Sequence, residues 1–155
     1  MKLLQNNTYQ IFNNSICTLK SEDVNKKTIF FAVKGKSTDG HFFVSEAINK
    51  NCKFAVVKKE FKNLGKKKEK KIIRCNSPLK YLENIASYKR NQSSGIFFGI
   101  TGSFGKTTLK FMVSFLLNKV KKTYCSPKSF NNHFGLPLSL SNLPRNSIYN
   151  IFELG

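Results

Sequence analysis

The chain has 155 residues, 40% of them hydrophobic, enough for one sizeable core or two small ones. Its 27 Lys and Arg against 8 Asp and Glu give a formal charge of +19, which favours anionic partners. No run of roughly eighteen apolar residues occurs. The opening Met1-Lys2-Leu3-Leu4-Gln5-Asn6-Asn7 lacks the apolar centre and small-residue cleavage site of a secretory signal, so no membrane insertion and a cytoplasmic location are expected.

In chain order, Thr8 to Thr18 holds two short strand candidates, Tyr9-Gln10-Ile11-Phe12 and Ile16-Cys17-Thr18, divided by Asn13-Asn14-Ser15. A stronger strand runs from Thr28 to Val33 and stops at Lys34-Gly35-Lys36-Ser37. Asp39-Gly40-His41 is a turn signature, followed by a short helix with Phe43, Ala47 and Ile48 on one face and Val44 beside them. Phe54-Ala55-Val56-Val57 and Lys71-Ile72-Ile73-Arg74-Cys75 are two further strands. Between them, Lys66-Lys67-Lys68-Glu69-Lys70-Lys71 reads as a solvated hairpin tip.

These elements form a small α/β domain over residues 1–76. Ser77 then serves as N-cap and Pro78 as first helical residue of a helix with Tyr81, Ile85 and Tyr88 on one stripe. That helix and the polar Asn91-Gln92-Ser93-Ser94 make residues 77–94 a connecting segment before a second α/β domain over 95–155.

The second domain opens with Ile96-Phe97-Phe98, read as a buried strand, and then Gly99-Ile100-Thr101-Gly102-Ser103-Phe104-Gly105-Lys106-Thr107-Thr108. A helix follows, with Leu109, Met112, Val113, Leu116 and Val120 on one side as expected core. Strand, glycine loop and helix in this order make a phosphate-binding loop. Glycines let backbone N–H groups approach phosphate oxygens, and the helix N-terminus favours the anion. Lys106 reaches the β- and γ-phosphates, and the Thr107 hydroxyl suits Mg²⁺. The longer general pattern asks for glycine where Ile100 stands.

Thr123-Tyr124-Cys125 completes a strand, helix, strand unit. After it come Asn131-Asn132-His133-Phe134-Gly135-Leu136-Pro137, a short helical segment, and Ile148 to Gly155, a buried strand ending in an acid. Ligand crevices of open α/β sheets lie at the carboxyl ends of strands, so Glu153 is a second Mg²⁺ candidate; the alternative is a surface acid at a strand end.

Cys17, Cys52, Cys75 and Cys125 form no metal-ligand spacing and are read as buried free thiols. The lysines are spread along the whole chain beside many asparagines, a pattern also expected of an A- and T-rich coding sequence, so specific nucleic-acid binding is not expected. A basic phosphate-loop protein that binds nucleic acid is the alternative from a different class.

The loop from Gly99 to Thr108 resembles the ATP-binding loop of the Mur ligases, the cytoplasmic enzymes that build the peptide of bacterial peptidoglycan, in which the shortened glycine pattern is usual. Phe130-Asn131-Asn132-His133-Phe134-Gly135-Leu136-Pro137-Leu138 resembles the Asn-Asn-x-x-Gly-x-Pro stretch of the members that add D-alanyl-D-alanine to UDP-N-acetylmuramoyl-tripeptide. Phe152-Glu153-Leu154-Gly155 matches the family's strand ending in a Mg²⁺-linked glutamate. Upstream, Phe30-Phe31-Ala32-Val33-Lys34-Gly35 and Asp39-Gly40-His41-Phe42-Phe43 resemble its N-terminal UDP-sugar domain.

The resemblance implies ATP and Mg²⁺ as cofactors, with Lys106 on the ATP phosphates, Gly102, Ser103, Gly105 and Thr108 lining them, Thr107 on Mg²⁺ and Glu153 on a second Mg²⁺. It implies UDP-MurNAc-peptide and D-Ala-D-Ala as substrates joined through an acyl phosphate. Asn131 and Asn132 would lie on the substrate side of the cleft, or hold the loop through side-chain to backbone hydrogen bonds. Ser21 alone survives of the Asp-Ser-Arg triplet that helps hold uridine, since Lys20-Ser21-Glu22 stands there.

The family's central domain continues past the glutamate strand with a carbamylated lysine, a histidine and adenine contacts, and a third domain follows. The sequence is therefore read as an N-terminal fragment, its ATPase domain truncated and inactive alone. A ligase adding another amino acid is the alternative within the class.

Overall fold

The computed structural model describes residues 10–127 and 130–155. The chain divides into two compact units, Met1–Asn84 and Ile85–Gly155. In the first, β1 (Ile16–Thr18), β2 (Thr28–Phe31), β3 (Phe54–Lys58) and β4 (Ile72–Cys75) form a sheet in the order β1-β2-β3-β4. Every pair is parallel. Parallel neighbours cannot be joined by a tight turn, so each connection crosses a face of the sheet. The β2–β3 crossover carries a 3₁₀ turn, Gly40–Phe43, and helix α1 (Val44–Asn49); the β3–β4 crossover carries the single turn α2 (Lys66–Glu69).

A parallel sheet covered on both faces needs continuous apolar strands, and β2 is buried at all four positions. On one face Phe30, Ala55 and Val57 pack with Val44, Ala47 and Ile48 of α1. On the other, the Phe12 ring meets Phe31 at 6.3 Å and Tyr81 at 6.0 Å. Asp39 fixes the start of the 3₁₀ turn: its Oδ1 accepts from the His41 backbone N–H at 3.0 Å and lies 2.6 Å from His41 Nδ1. Since the Lys58 N–H donates to His41 Nε2 at 3.1 Å, the imidazole carries its proton on Nδ1 and donates to Asp39. Gly40 has no room for a side chain, because a Cβ would stand 2.8 Å from the Val33 nitrogen.

Helix α3 (Pro78–Gln92) spans the division between the units; Ser77 Oγ accepts from the Lys80 N–H at 3.2 Å, as an N-cap does. The second unit continues with β5 (Ile96–Ile100), α4 (Lys106–Asn118), β6 (Thr123–Cys125), α5 (Gly135–Ser141) and β7 (Tyr149–Glu153). Its sheet has the order β5-β7-β6, again parallel. β7 is central and nearly all buried, with Phe152 stacked on Phe97 at 6.0 Å between centroids. Among the described residues no helix is long and apolar enough to cross a membrane.

Several expectations are corrected. Thr8 and Tyr9 lie outside the described residues, and Gln10 to Phe12 form no strand: the chain turns there and drops Phe12 into the core. Lys66 to Lys71 is no hairpin tip, because β3 and β4 run parallel. Phe43 is half exposed, leaving Val44, Ala47 and Ile48 to bury α1. The buried stripe of α3 is Leu82, Ile85, Ala86 and Lys89, with Tyr81 and Tyr88 only half-buried. β5 is not buried: it pairs on one side only, and Ile96 and Phe98 are exposed. The expected strand, helix, strand unit of β5, α4 and β6 is present, with β7 between its two strands. The expected core stripe of α4 points outward, with Leu109 at 50%, Met112 and Leu116 at 60% and Val120 at 67% exposure. Cys17 and Cys52 are buried free thiols, whereas Cys75 and Cys125 are half-buried.

Candidate nucleotide and metal site

Strand register assembles the site. Ile100, the last residue of β5, pairs with Glu153, the last of β7, and the Leu154 N–H donates to the Ile100 carbonyl at 2.8 Å. The glycine loop thus leaves the sheet beside the Glu153 carboxylate. Helix α4 starts at Lys106 just past the loop and carries Thr107 in its first turn.

Glu153 is 2% exposed and both oxygens of its carboxylate meet donors. Thr107 Oγ1 donates to Oε2 at 2.7 Å, the Lys110 ammonium lies 3.3 Å from the same oxygen, and Asn131 Nδ2 donates to Oε1 at 2.8 Å. Its backbone N–H points to Ser126 Oγ at 3.4 Å. Burial pushes the carboxyl up, but the hydrogen bonds from Thr107 and Lys110, the Lys110 charge and the Asn131 amide outweigh it. They hold the group below the usual carboxylate range. Glu153 is therefore an aimed, buried anion and not a surface acid.

The loop itself is open. Gly105 sits at φ +72° and Gly102 at φ +145°, conformations that favour glycine, and a Cβ on Gly105 would meet nothing within 4 Å. Ser103 and Thr108 are exposed, and Phe104 is 96% exposed at the tip. The Lys106 ammonium folds back onto the Gly102 carbonyl, so a cation already caps the loop.

The structure brings Thr107, Asn131 and Glu153 together, Asn131 through a side-chain bond to the carboxylate and not to the loop backbone. Asn132 is turned elsewhere: its Oδ1 accepts from the Phe134 and Gly135 N–H groups at 3.1 and 2.8 Å, holding the entry to α5. Ser21 belongs to the other unit, where it donates to Glu46 Oε2 at 3.0 Å and its carbonyl accepts from Lys50 Nζ at 3.1 Å. A pocket of about 500 Å³ in that unit is lined by Phe42, Phe61, His41 and Lys58, among others, and does not include Ser21.

Sequence reasoning missed Lys110 and Ser126. Lys110 had a legible signal: it is the one charge in α4 after Lys106, one turn along the helix, in an otherwise apolar run. Ser126 had none.

Residues 100–155 match the model of the Mur ligase middle domain. UDP-N-acetylmuramoyl-tripeptide–D-alanyl-D-alanine ligase of Rickettsia prowazekii is 36% identical over 149 residues, covering 94% of this chain and 32% of that protein. The enzyme of the same name from Buchnera aphidicola subsp. Baizongia pistaciae is 36% identical over 138 residues, covering 89% and 29%. The crystal structure of the MurF ligase of Thermotoga maritima in complex with ADP superposes with a TM-score of 0.74 at 31% identity, over 92% of this chain and 32% of that one.

The chain belongs to the Mur ligase family. It spans about a third of the length of the curated relatives it matches. The middle-domain match begins at Ile100 and so takes in the whole cluster around Glu153, Lys110 included. As a Mur ligase segment it offers phosphate a cradle of two left-handed glycines with free space above them and a cation at the rim. To Mg²⁺ it offers hard oxygens, the Thr107 hydroxyl and the Glu153 carboxylate, 2.7 Å apart, so the residues present fit both groups.

Proposed function

We propose that the protein is a MurF-type ligase that joins D-alanyl-D-alanine to UDP-N-acetylmuramoyl-tripeptide at the expense of ATP in the cytoplasm. Residues 1–76 would form the UDP-substrate domain, 77–94 the connection, and 95–155 the start of the ATP-binding domain. The Ile100–Glu153 register, which sets a phosphate loop beside a buried carboxylate on Thr107, carries the reading.

In this reaction a carboxylate oxygen of the tripeptide takes the γ-phosphoryl group and ADP leaves. The amine of D-alanyl-D-alanine then attacks the acyl carbon of the acyl phosphate, loses a proton and expels inorganic phosphate. The protein's part is position and charge. Gly102, Ser103, Gly105 and Thr108 would line the phosphates with backbone and hydroxyl groups. Lys106 would exchange the Gly102 carbonyl for the β- and γ-phosphate oxygens. Mg²⁺, when bound, would neutralise phosphate charge; Thr107 and Glu153, 2.7 Å apart, would hold one ion between them, where the resemblance implies one each.

Asn131 keeps Glu153 aimed and faces the substrate side, while Asn132 shapes the loop that presents it. Ser21 would take part at the uridine end once released from Glu46.

Isothermal titration of the chain with ADP and Mg²⁺ tests the reading. Saturable binding is expected, weakened about 10- to 100-fold in Lys106→Ala, the range for loss of a charged hydrogen bond. Absence of binding, or equal binding by the variant, would overturn it. Binding of single-stranded DNA that falls steeply with salt and leaves no ADP binding would favour the nucleic-acid alternative.

A further inference from the structure

Lys110 is fully buried, yet no step of the proposed reaction uses it. A buried cation is costly unless an anion meets it, and here that anion is Glu153, whose Oε2 lies 3.3 Å from Nζ. The same oxygen accepts from Thr107, so the ammonium stands at the point where the two hard-oxygen ligands converge. Glu153 and Lys110 together carry no net charge, and Lys106 adds a cation at the rim of the loop.

We infer that Lys110 is a positioning residue that stands in for the metal: it holds Glu153 aimed at Thr107 before any divalent cation arrives and prevents the site from binding that cation without a nucleotide. This rests on the nucleotide and metal roles proposed above. A divalent cation approaching Oε2 alone meets an ammonium already there, and repulsion between the two is weakly screened in a buried site. A polyphosphate brings the negative charge that the protein lacks. The metal then enters as its nucleotide complex onto a carboxylate already in place.

Mn²⁺ binding to the 155-residue chain, followed by the electron paramagnetic resonance signal of the free ion, tests this with and without ADP. The wild-type chain is expected to retain Mn²⁺ only with ADP. Lys110→Met is expected to bind Mn²⁺ alone at least about tenfold more tightly than wild type. Lys110→Arg, which keeps the charge, should behave as wild type, and Lys110→Met/Glu153→Gln should lose the gained binding.

If Lys110→Met does not fold, added Mn²⁺ should restore its cooperative melting, and Lys110→Met/Glu153→Gln should melt cooperatively without it. Equal Mn²⁺ binding by wild type and a folded Lys110→Met overturns the inference. So does a double variant that fails to fold, because Lys110 is then needed for packing and not for Glu153. A wild-type chain that takes up neither ADP nor Mn²⁺ overturns the nucleotide reading instead, and the two failures are told apart by the wild type alone.

Discussion

In Met1–Asn84 the fully enclosed side chains include Phe30, Ala32, Val44, Ala55 and Val57, and the helix that covers the sheet buries apolar residues. In Ile85–Gly155 they include Lys110, Ser126, Asn150 and Glu153 beside Ile151, while helix α4 turns Leu109, Met112 and Leu116 outward and buries a lysine. Both units are parallel sheets with crossover helices. The difference shows that such a frame can be filled by apolar burial alone or can enclose paired polar groups beside its apolar residues. In the second case the buried charges must be paired, as Lys110 and Glu153 are, because an unpaired buried charge costs more than a lost apolar contact.

The contrast is broken most directly at the first unit's core. Phe30→Ala should destabilise the chain by about 3–5 kcal/mol in urea denaturation, the cost of a large cavity. A loss below about 1 kcal/mol would mean that this core is not what holds the unit.

A smaller effect is expected at Asp39, a polar group serving the apolar unit. Asp39→Ala should cost about 1 kcal/mol by removing the cap. The His41 backbone N–H and then its side chain hold the Asp39 carboxyl below its ordinary value of 3.8. A lowered folded-state value means that the ionised group stabilises fully above that ordinary value and loses its contribution as pH falls through the folded one. The gap between wild type and Asp39→Ala, measured by denaturation at pH 7 and in steps below 3.8, should therefore shrink in acid.

The smallest effect sharpens the contrast from the other side. Leu116→Ala on the outer face of α4 should change stability by no more than about 0.5 kcal/mol. A loss of several times that size, growing with protein concentration, would show the face covered in solution.

Much of this was legible in the sequence, and the lapses have physical causes. β2, β3 and β7 are legible because buried parallel strands carry unbroken apolar runs, here Ile29-Phe30-Phe31, Phe54-Ala55-Val56-Val57 and Ile151-Phe152. The glycine loop ahead of α4 is legible because left-handed glycines and the helix start after them leave a local signature, and Glu153 because an acid ending an apolar run is conspicuous. Helix α4 was misread because helical periodicity shows that a stripe exists but not which side the sheet takes; Lys110 settles that by reaching a carboxylate 43 positions later in the chain. The order β5-β7-β6 was invisible for the same reason, since pairing partners far apart in sequence leave no local mark. Gln10 to Phe12 reads as a strand by residue type, but the chain turns there to bring Phe12 against Phe31.

The place of β7 between β5 and β6 also sets an order of assembly. The ribosome releases the loop, α4 and β6 before the strand that joins them, so until Tyr149 to Glu153 emerge neither β5 nor β6 has a neighbour in this sheet. The loop is made before the carboxylate beside it, so closing this sheet and setting Glu153 against Thr107 become one event.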